Sequence, residues 1–178
     1  RALAELCEAP LTDDPQRSRN GLFTAWGKHS RWLDSGLRRH FVLWTNAQRS
    51  WLQRQDVPKD QFLAALRQHR FLLSPIGNGV QSPKYMEAIL MGCVPVVKRQ
   101  QVFEELAAAG YPSVLLPAWN ALNGSEALDP YYPALQRRLR VARIMLIAEV
   151  WFAYLTQPLD RPMITNIEDF LRTQSDLR

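Results

Sequence analysis

Apolar residues in this chain fall into short continuous runs separated by stretches of helical spacing. That alternation predicts strands buried on both faces with helices packed between them. The clearest run is Phe71-Leu72-Leu73, apolar at consecutive positions and followed by Ser74-Pro75 and a glycine loop, Gly77-Asn78-Gly79. From Ser82 to about Met91 the spacing is helical, with Met86, Ile89 and Leu90 expected on the core side. A break at Gly92 then precedes a second apolar run, Val94-Pro95-Val96-Val97. Strand, polar loop, helix and strand in that order make a parallel βαβ unit. Its first loop and the helix N-terminus open at the carboxyl edge of the sheet, where open α/β sheets bind ligands.

The rest of the chain reads as support for this unit. Residues 1–20 hold Pro10 and Pro15 among polar residues and predict a loop. Leu22–Leu37 has helical spacing that would bury Leu22, Trp26 and Leu33, although Gly27 and Gly36 weaken a helix there. Phe41–Trp44 predicts a strand, and Gln48–Gln55 a short helix. Asp60 opens a helix whose stripe is Phe62, Leu63 and Leu66. Downstream, Val102–Ala109 predicts a helix closed by Gly110, and Ser113–Leu116 a strand stopped by Pro117. Trp119 to Ser125 reads as a loop and Glu126–Leu128 as the start of a short helix. The longest periodic segment is Tyr131–Leu155, with a bend expected near its middle. A tail helix over Ile164–Leu171 has Thr165 or Asn166 as its cap, with Ile167 and Phe170 as docking residues. The expected fold is therefore α/β, a parallel sheet flanked by helices.

Composition narrows the picture. A chain of 178 residues that is 47% hydrophobic suffices for one folded domain and not for two large ones. The net charge of +5 comes mostly from arginine and suits anionic partners. The arginines are scattered, however, and form no basic-aromatic stripe of the kind that binds nucleic acid. Two cysteines, Cys7 and Cys93, do not build a disulfide framework, and Cys93 reads as a small buried residue. No stretch reaches the roughly 18 apolar residues of a spanning helix, and no signal-peptide pattern is present. With Arg1 at the start in place of methionine, the chain is expected to be a processed product or a piece of a longer protein.

The chemistry lies in the central unit. Gly77 and Gly79 let a ligand approach the main chain, Ser82 is an N-cap candidate, and Pro83 suits the first helical position. First-turn amides would face a phosphate at the loop's mouth, with Lys84 adding positive charge. Glu87, one turn further in, is placed to accept hydrogen bonds from a ribose diol. The stretch is neither a dinucleotide fingerprint nor a P-loop. His29, His40 and His69 are isolated and read as surface or boundary residues, and no metal-binding cluster or nucleophile elbow is present.

His69–Val97, HRFLLSPIGNGVQSPKYMEAILMGCVPVV, resembles the exostosin-like glycosyltransferases. There a Ser-Pro-x-Gly loop, a helix bearing Glu and a Gly-Cys-x-Pro-Val strand lie in the C-terminal half of a two-lobed GT-B enzyme. The resemblance implies a Rossmann-like parallel sheet flanked by helices, with 1–55 a remnant of or connection to an N-terminal lobe. Residues 56–178 would then be a nucleotide-sugar-binding α/β domain with C-terminal helices. It implies glycosyl transfer from a nucleotide-sugar, a UDP-sugar by preference, to a glycan or protein acceptor, with no tightly bound cofactor or metal. By position Glu87 would hold the ribose, Lys84 would stand beside the diphosphate, and Gly77, Asn78, Gly79 and Ser82 would line the phosphates. A Golgi or secretory setting is implied, with any membrane anchor outside this chain. Ile76 and Lys84 stand where the family often has arginine, and lysine lacks the planar fork that suits a diphosphate. The catalytic base is not identified, and the competing expectation is a catalytically degenerate domain acting as a binding or structural module.

Overall fold

Among the described residues, Phe71-Leu72-Leu73 forms the middle strand of a five-stranded parallel sheet, as a run apolar on every position requires. The computed structural model describes residues 21–24, 51–54, 57–75, 83–146, 157 and 166–175. In chain order the elements are β1 (Leu22–Thr24), β2 (Leu52–Arg54), α1 (Lys59–Arg67), β3 (Phe71–Leu73) and α2 (Pro83–Leu90). They continue as β4 (Val94–Lys98), α3 (Gln101–Ala108), β5 (Val114–Leu116), α4 (Tyr132–Met145) and α5 (Ile167–Ser175). Two 3₁₀ segments, Trp119–Ala121 and Ser125–Tyr131, lead into α4. Across the sheet the order is β2-β1-β3-β4-β5, so the chain builds outward in opposite directions from the β1/β3 boundary.

Successive strand residues point to opposite faces, and β3 shows which helices cover each. Leu72 packs with Phe62 and Leu66 of α1, Ala88 of α2, and Met91 and Cys93. Phe71 and Leu73 belong to the larger core on the other face, with Leu139, Ala142 and Met145 of α4 and with Ile167 and Phe170 of α5. Each fully buried Leu or Phe contributes about 1.5–3 kcal/mol of transfer free energy, so both faces hold the strand in place. Helix α2 supplies Ala88 to the first core and Tyr85 and Ile89 to the second.

Two glycines close helices in the left-handed region. Gly92 (φ 71°) follows α2, where the Cys93 amide donates back to the Ala88 carbonyl at 2.8 Å. Gly110 (φ 104°) ends α3 as the sequence predicts, and a Cβ there would lie 2.8 Å from Ile167 Cγ1. The Ile167 amide donates to the Ala109 carbonyl at 3.1 Å, so α5 starts directly on the end of α3. Asn166 caps α5 by accepting from the Glu168 amide at 2.9 Å, and Ile167 and Phe170 dock as expected.

Several expectations are corrected. The helix expected over Leu22–Leu37 begins instead as strand β1, and the one over Gln48–Gln55 contains strand β2. In both places pairing to a neighbouring strand overrides helical spacing, through Leu22↔Leu52 and Leu22↔Phe71. Both strands join the same sheet as β3, and Leu22 and Leu52 enter the same core. Within the long periodic segment α4 ends at Met145, a break of the kind expected there, with the Leu146 amide donating to the Arg143 carbonyl at 3.1 Å; residues 147–155 lie outside the described residues. On α2 the buried side chains are Tyr85, Ala88 and Ile89, while Met86 and Leu90 are only partly covered. His69 is buried, not peripheral, with Nδ1 2.7 Å from the Ala65 carbonyl oxygen. The strand expected at Phe41–Trp44, with Cys7, His29 and His40, lies outside the described residues.

Candidate functional site

In an open parallel sheet, ligands bind beyond the carboxyl ends of the strands where strand order reverses. Here that reversal falls between β1 and β3, whose carboxyl ends are Thr24 and Leu73-Ser74. The register pairs Leu22 with Phe71 and Phe23 with Leu72. A side-chain bond also crosses the seam: Thr24 Oγ1 donates to the Leu73 carbonyl at 3.2 Å. On its other side β3 stays paired to β4 through Leu73↔Val96, and the Ser74 amide donates to the Val96 carbonyl at 2.9 Å.

Burial makes this corner distinctive. Among the described residues the buried polar side chains are Thr24, His69 and Ser74. His69 is accounted for by its contact with the carbonyl of Ala65. Thr24 and Ser74 lie together at the reversal point. Burying a hydroxyl is costly unless it is bonded, so polar groups gather in a core where structure or a ligand uses them.

Helix α2 starts after the loop that leaves β3, and its first turn carries Lys84 and no acidic residue. The N-terminal end of a helix carries positive potential, which this turn leaves uncompensated. Lys84 is half-buried, and its ammonium sits 5.5 Å from the centre of the Phe62 ring on α1. Burial lowers its pKa from the usual 10.5, and the Glu87 carboxylate on the same helix face partly restores it. Lys84 and Glu87 are thus brought together as the sequence implies. Gly77, Asn78, Gly79 and Ser82 lie outside the described residues. The corner can offer main-chain amides and an ammonium to an anion, and a carboxylate to hydroxyl groups.

Two buried residues carry no local mark in the sequence. Thr24 was hidden inside an expected helix, and nothing local marks it as the end of a strand. Tyr85 was not assigned to the core, yet it is buried and stacks on Phe103 at 5.3 Å between centroids. Burial raises its phenol pKa above the usual 10.0, and Ser113 offsets part of that rise. The Tyr85 hydroxyl and Ser113 Oγ are withdrawn from solvent, and neither closes a hydrogen bond of ordinary geometry.

The amino end of β3 is built differently. Arg70 Nη1 lies 3.0 Å from Asp129 Oδ1, an ion pair by distance whose geometry closes no hydrogen bond at that oxygen. The guanidinium lies 5.6 Å from the centre of the Tyr132 ring, and Tyr132 meets Phe71 edge-on at 5.4 Å. This end is packed against the start of α4.

No family model matches the chain, and no curated protein matches it. Among the described residues no helix is long and apolar enough to cross a membrane, and no group of His, Cys, Asp or Glu is arranged to hold a metal. The membrane, Golgi and GT-B terms implied by the resemblance are accordingly withdrawn.

Proposed function

We propose that this chain is a Rossmann-like nucleotide-binding domain of a glycosyltransferase, taking a nucleotide-sugar, with UDP as its carrier, at the carboxyl edge of the sheet. The observation that carries the reading is the reversal of strand order at the β1/β3 seam. It coincides with the loop and helix that resemble an exostosin-like donor site. In this reading the order β2-β1-β3 matches the inner strands of a doubly wound nucleotide fold, whose ligands lie at that reversal. The diphosphate meets the first-turn amides of α2 with Lys84 beside it, Gly77, Asn78, Gly79 and Ser82 line its path, and Glu87 accepts the ribose hydroxyls. Transfer needs an acceptor and a base, and this reading assigns neither to a residue of the chain. What the corner contributes is stabilisation of the departing nucleoside diphosphate by fixed dipoles and an ammonium.

A second reading, a domain that binds a nucleotide without transferring sugar, is favoured by one observation. Lys84 is drawn toward Phe62 and its proton is held less firmly than usual, which weakens its service to a leaving diphosphate. Titration of UDP into the chain tests the shared site. Lys84→Ala and Glu87→Ala should each weaken binding about tenfold, as loss of a hydrogen bond to a charged group does. Equal affinity for wild type and both variants would remove the site. Sugar transfer to acceptor, or donor hydrolysis, measured with the full gene product then separates the two readings.

A further inference from the structure

We propose that the outer face of α4 is a docking surface for an acidic amphipathic helix of a protein partner. Arg137 and Arg140 meet its carboxylates, and Ile144 meets an apolar side chain between them. The surface shares no residue with the proposed nucleotide site, so either reading can fail without the other.

Spacing along α4 carries the argument. Leu139, Ala142 and Met145 are buried in the larger core, which turns the opposite face of the helix to solvent. Arg137, Arg140 and Ile144 follow one another at three and four residues, so they share that face, and all three are exposed. Arg138 is exposed at its margin. The helix holds no Asp, Glu or Lys, so its charge is arginine alone. Among the described residues Arg137, Arg138 and Arg140 pair with no carboxylate, whereas Arg70, Arg99 and Arg172 each do. Asp129, just before α4, and Asp169 of α5 are already engaged by Arg70 and Arg172. The positive charge of this face is therefore uncompensated, and its complement is a row of anions.

Apolar exposure selects a protein as the source of those anions. The large apolar side chains exposed among the described residues are Tyr131 at 61% and Ile144 at 44%, and they stand at the two ends of α4. An aliphatic side chain in line with arginines matches a partner that sets carboxylates around an apolar residue, and a sugar-phosphate backbone has no counterpart for it. A lipid surface calls for a broad apolar face, and α4 turns its own into the core. Arginine is also the cation that protein interfaces favour, its planar fork taking a carboxylate by two bonds. From Arg137 to Ile144 the face runs about 10 Å, and a helix laid along it repeats its own side chains at the same steps.

The test measures binding of the whole chain, by fluorescence anisotropy, to an alanine-based helical peptide with Glu and Leu lining one face. Companion probes are the same peptide with Lys for Glu, the same peptide with Ala for Leu, a DNA duplex, and phosphatidylserine vesicles. The Glu/Leu peptide should bind more tightly than any companion. Joint Arg137→Ala and Arg140→Ala should weaken it about three- to tenfold, as loss of two exposed ion pairs does. Ile144→Ser should weaken it about threefold, through lost apolar contact. Joint Arg137→Glu and Arg140→Glu should lose the Glu/Leu peptide and gain its Lys/Leu counterpart, an exchange that no folding defect imitates. A wild-type chain that does not bind the Glu/Leu peptide overturns the proposal. So does equal binding of the peptide without Leu, or an Ile144→Ser variant with wild-type affinity, since charge alone then explains the attraction. Tighter binding of the duplex or the vesicles, lost in the arginine variants, overturns it in favour of a phosphate surface.

Discussion

The two ends of β3 are held by opposite means. At the amino end Phe71 meets Tyr132, Arg70 spans Tyr132 and Asp129, and the Val94 amide donates to the Arg70 carbonyl at 2.8 Å. At the carboxyl end one hydroxyl reaches one carbonyl at the β1 seam, and a second buried hydroxyl residue stands beside it. Aromatic area and a partly covered ion pair make the first end a foundation. The second end, among the described residues, is tied by polar contacts at the point where strand order reverses, and there the proposed site lies. Stability and binding should therefore separate along a strand three residues long.

The hardest blow to that separation is Phe71→Ala, which empties a fully buried site and should cost about 3–5 kcal/mol in urea unfolding. UDP affinity of the molecules that stay folded should move less than twofold; a tenfold loss would mean that the ends are not independent. Gly110→Ala serves as a control away from both ends. Its positive φ and the close approach of Ile167 predict a loss of about 1–3 kcal/mol, read as a lower Tm, with UDP binding unchanged. Asp129→Asn should cost no more than about 1 kcal/mol, since its partner Arg70 is mostly covered but Asp129 itself is half-exposed. The difference from wild type should shrink in molar salt, and a larger, salt-insensitive loss would make this pair more than a surface contact.

Tyr85→Phe should have the smallest effect near neutral pH, because it removes a buried hydroxyl that closes no ordinary hydrogen bond. Its signature lies in alkali. A phenol whose folded pKa is raised supports folding below the unfolded value near 10.0 and loses that support as pH climbs through the folded value. Unfolding free energy measured from pH 9 upward should thus fall less steeply for Tyr85→Phe than for wild type. Lys84 acts in the other direction. Its folded pKa is lowered, so its contribution is present above 10.5 and is lost as pH falls through the folded value. Lys84→Met should therefore gain stability relative to wild type on the neutral side and not in strong alkali. An identical gain at both ends of the range would contradict the burial assigned to that ammonium.

The contrast between the ends of β3 also explains what could be read without coordinates. Phe71–Leu73, Val94–Val97, the Phe62 and Leu66 stripe and the docking pair Ile167 and Phe170 were legible because their apolar spacing matches their burial. β1 and β2 were not, since Leu22-Phe23-Thr24 and Leu52-Gln53-Arg54 are too short and too polar to announce strands. Only their partners across the sheet make them so. Tyr85 entered the core in place of Met86 because Phe103 offers a ring to stack on, a contact with no local trace. Lys84 and Glu87 were found because three-residue spacing places them on one helix face. Thr24 was missed for the same reason that β1 was missed.

A helix that lends side chains to both cores cannot swing without tearing one of them. α2 is such an axle, and Lys84 and Glu87 ride on it. If the proposed nucleotide site is right, any closure around its ligand must be carried by other parts of the chain, moving toward a fixed mount.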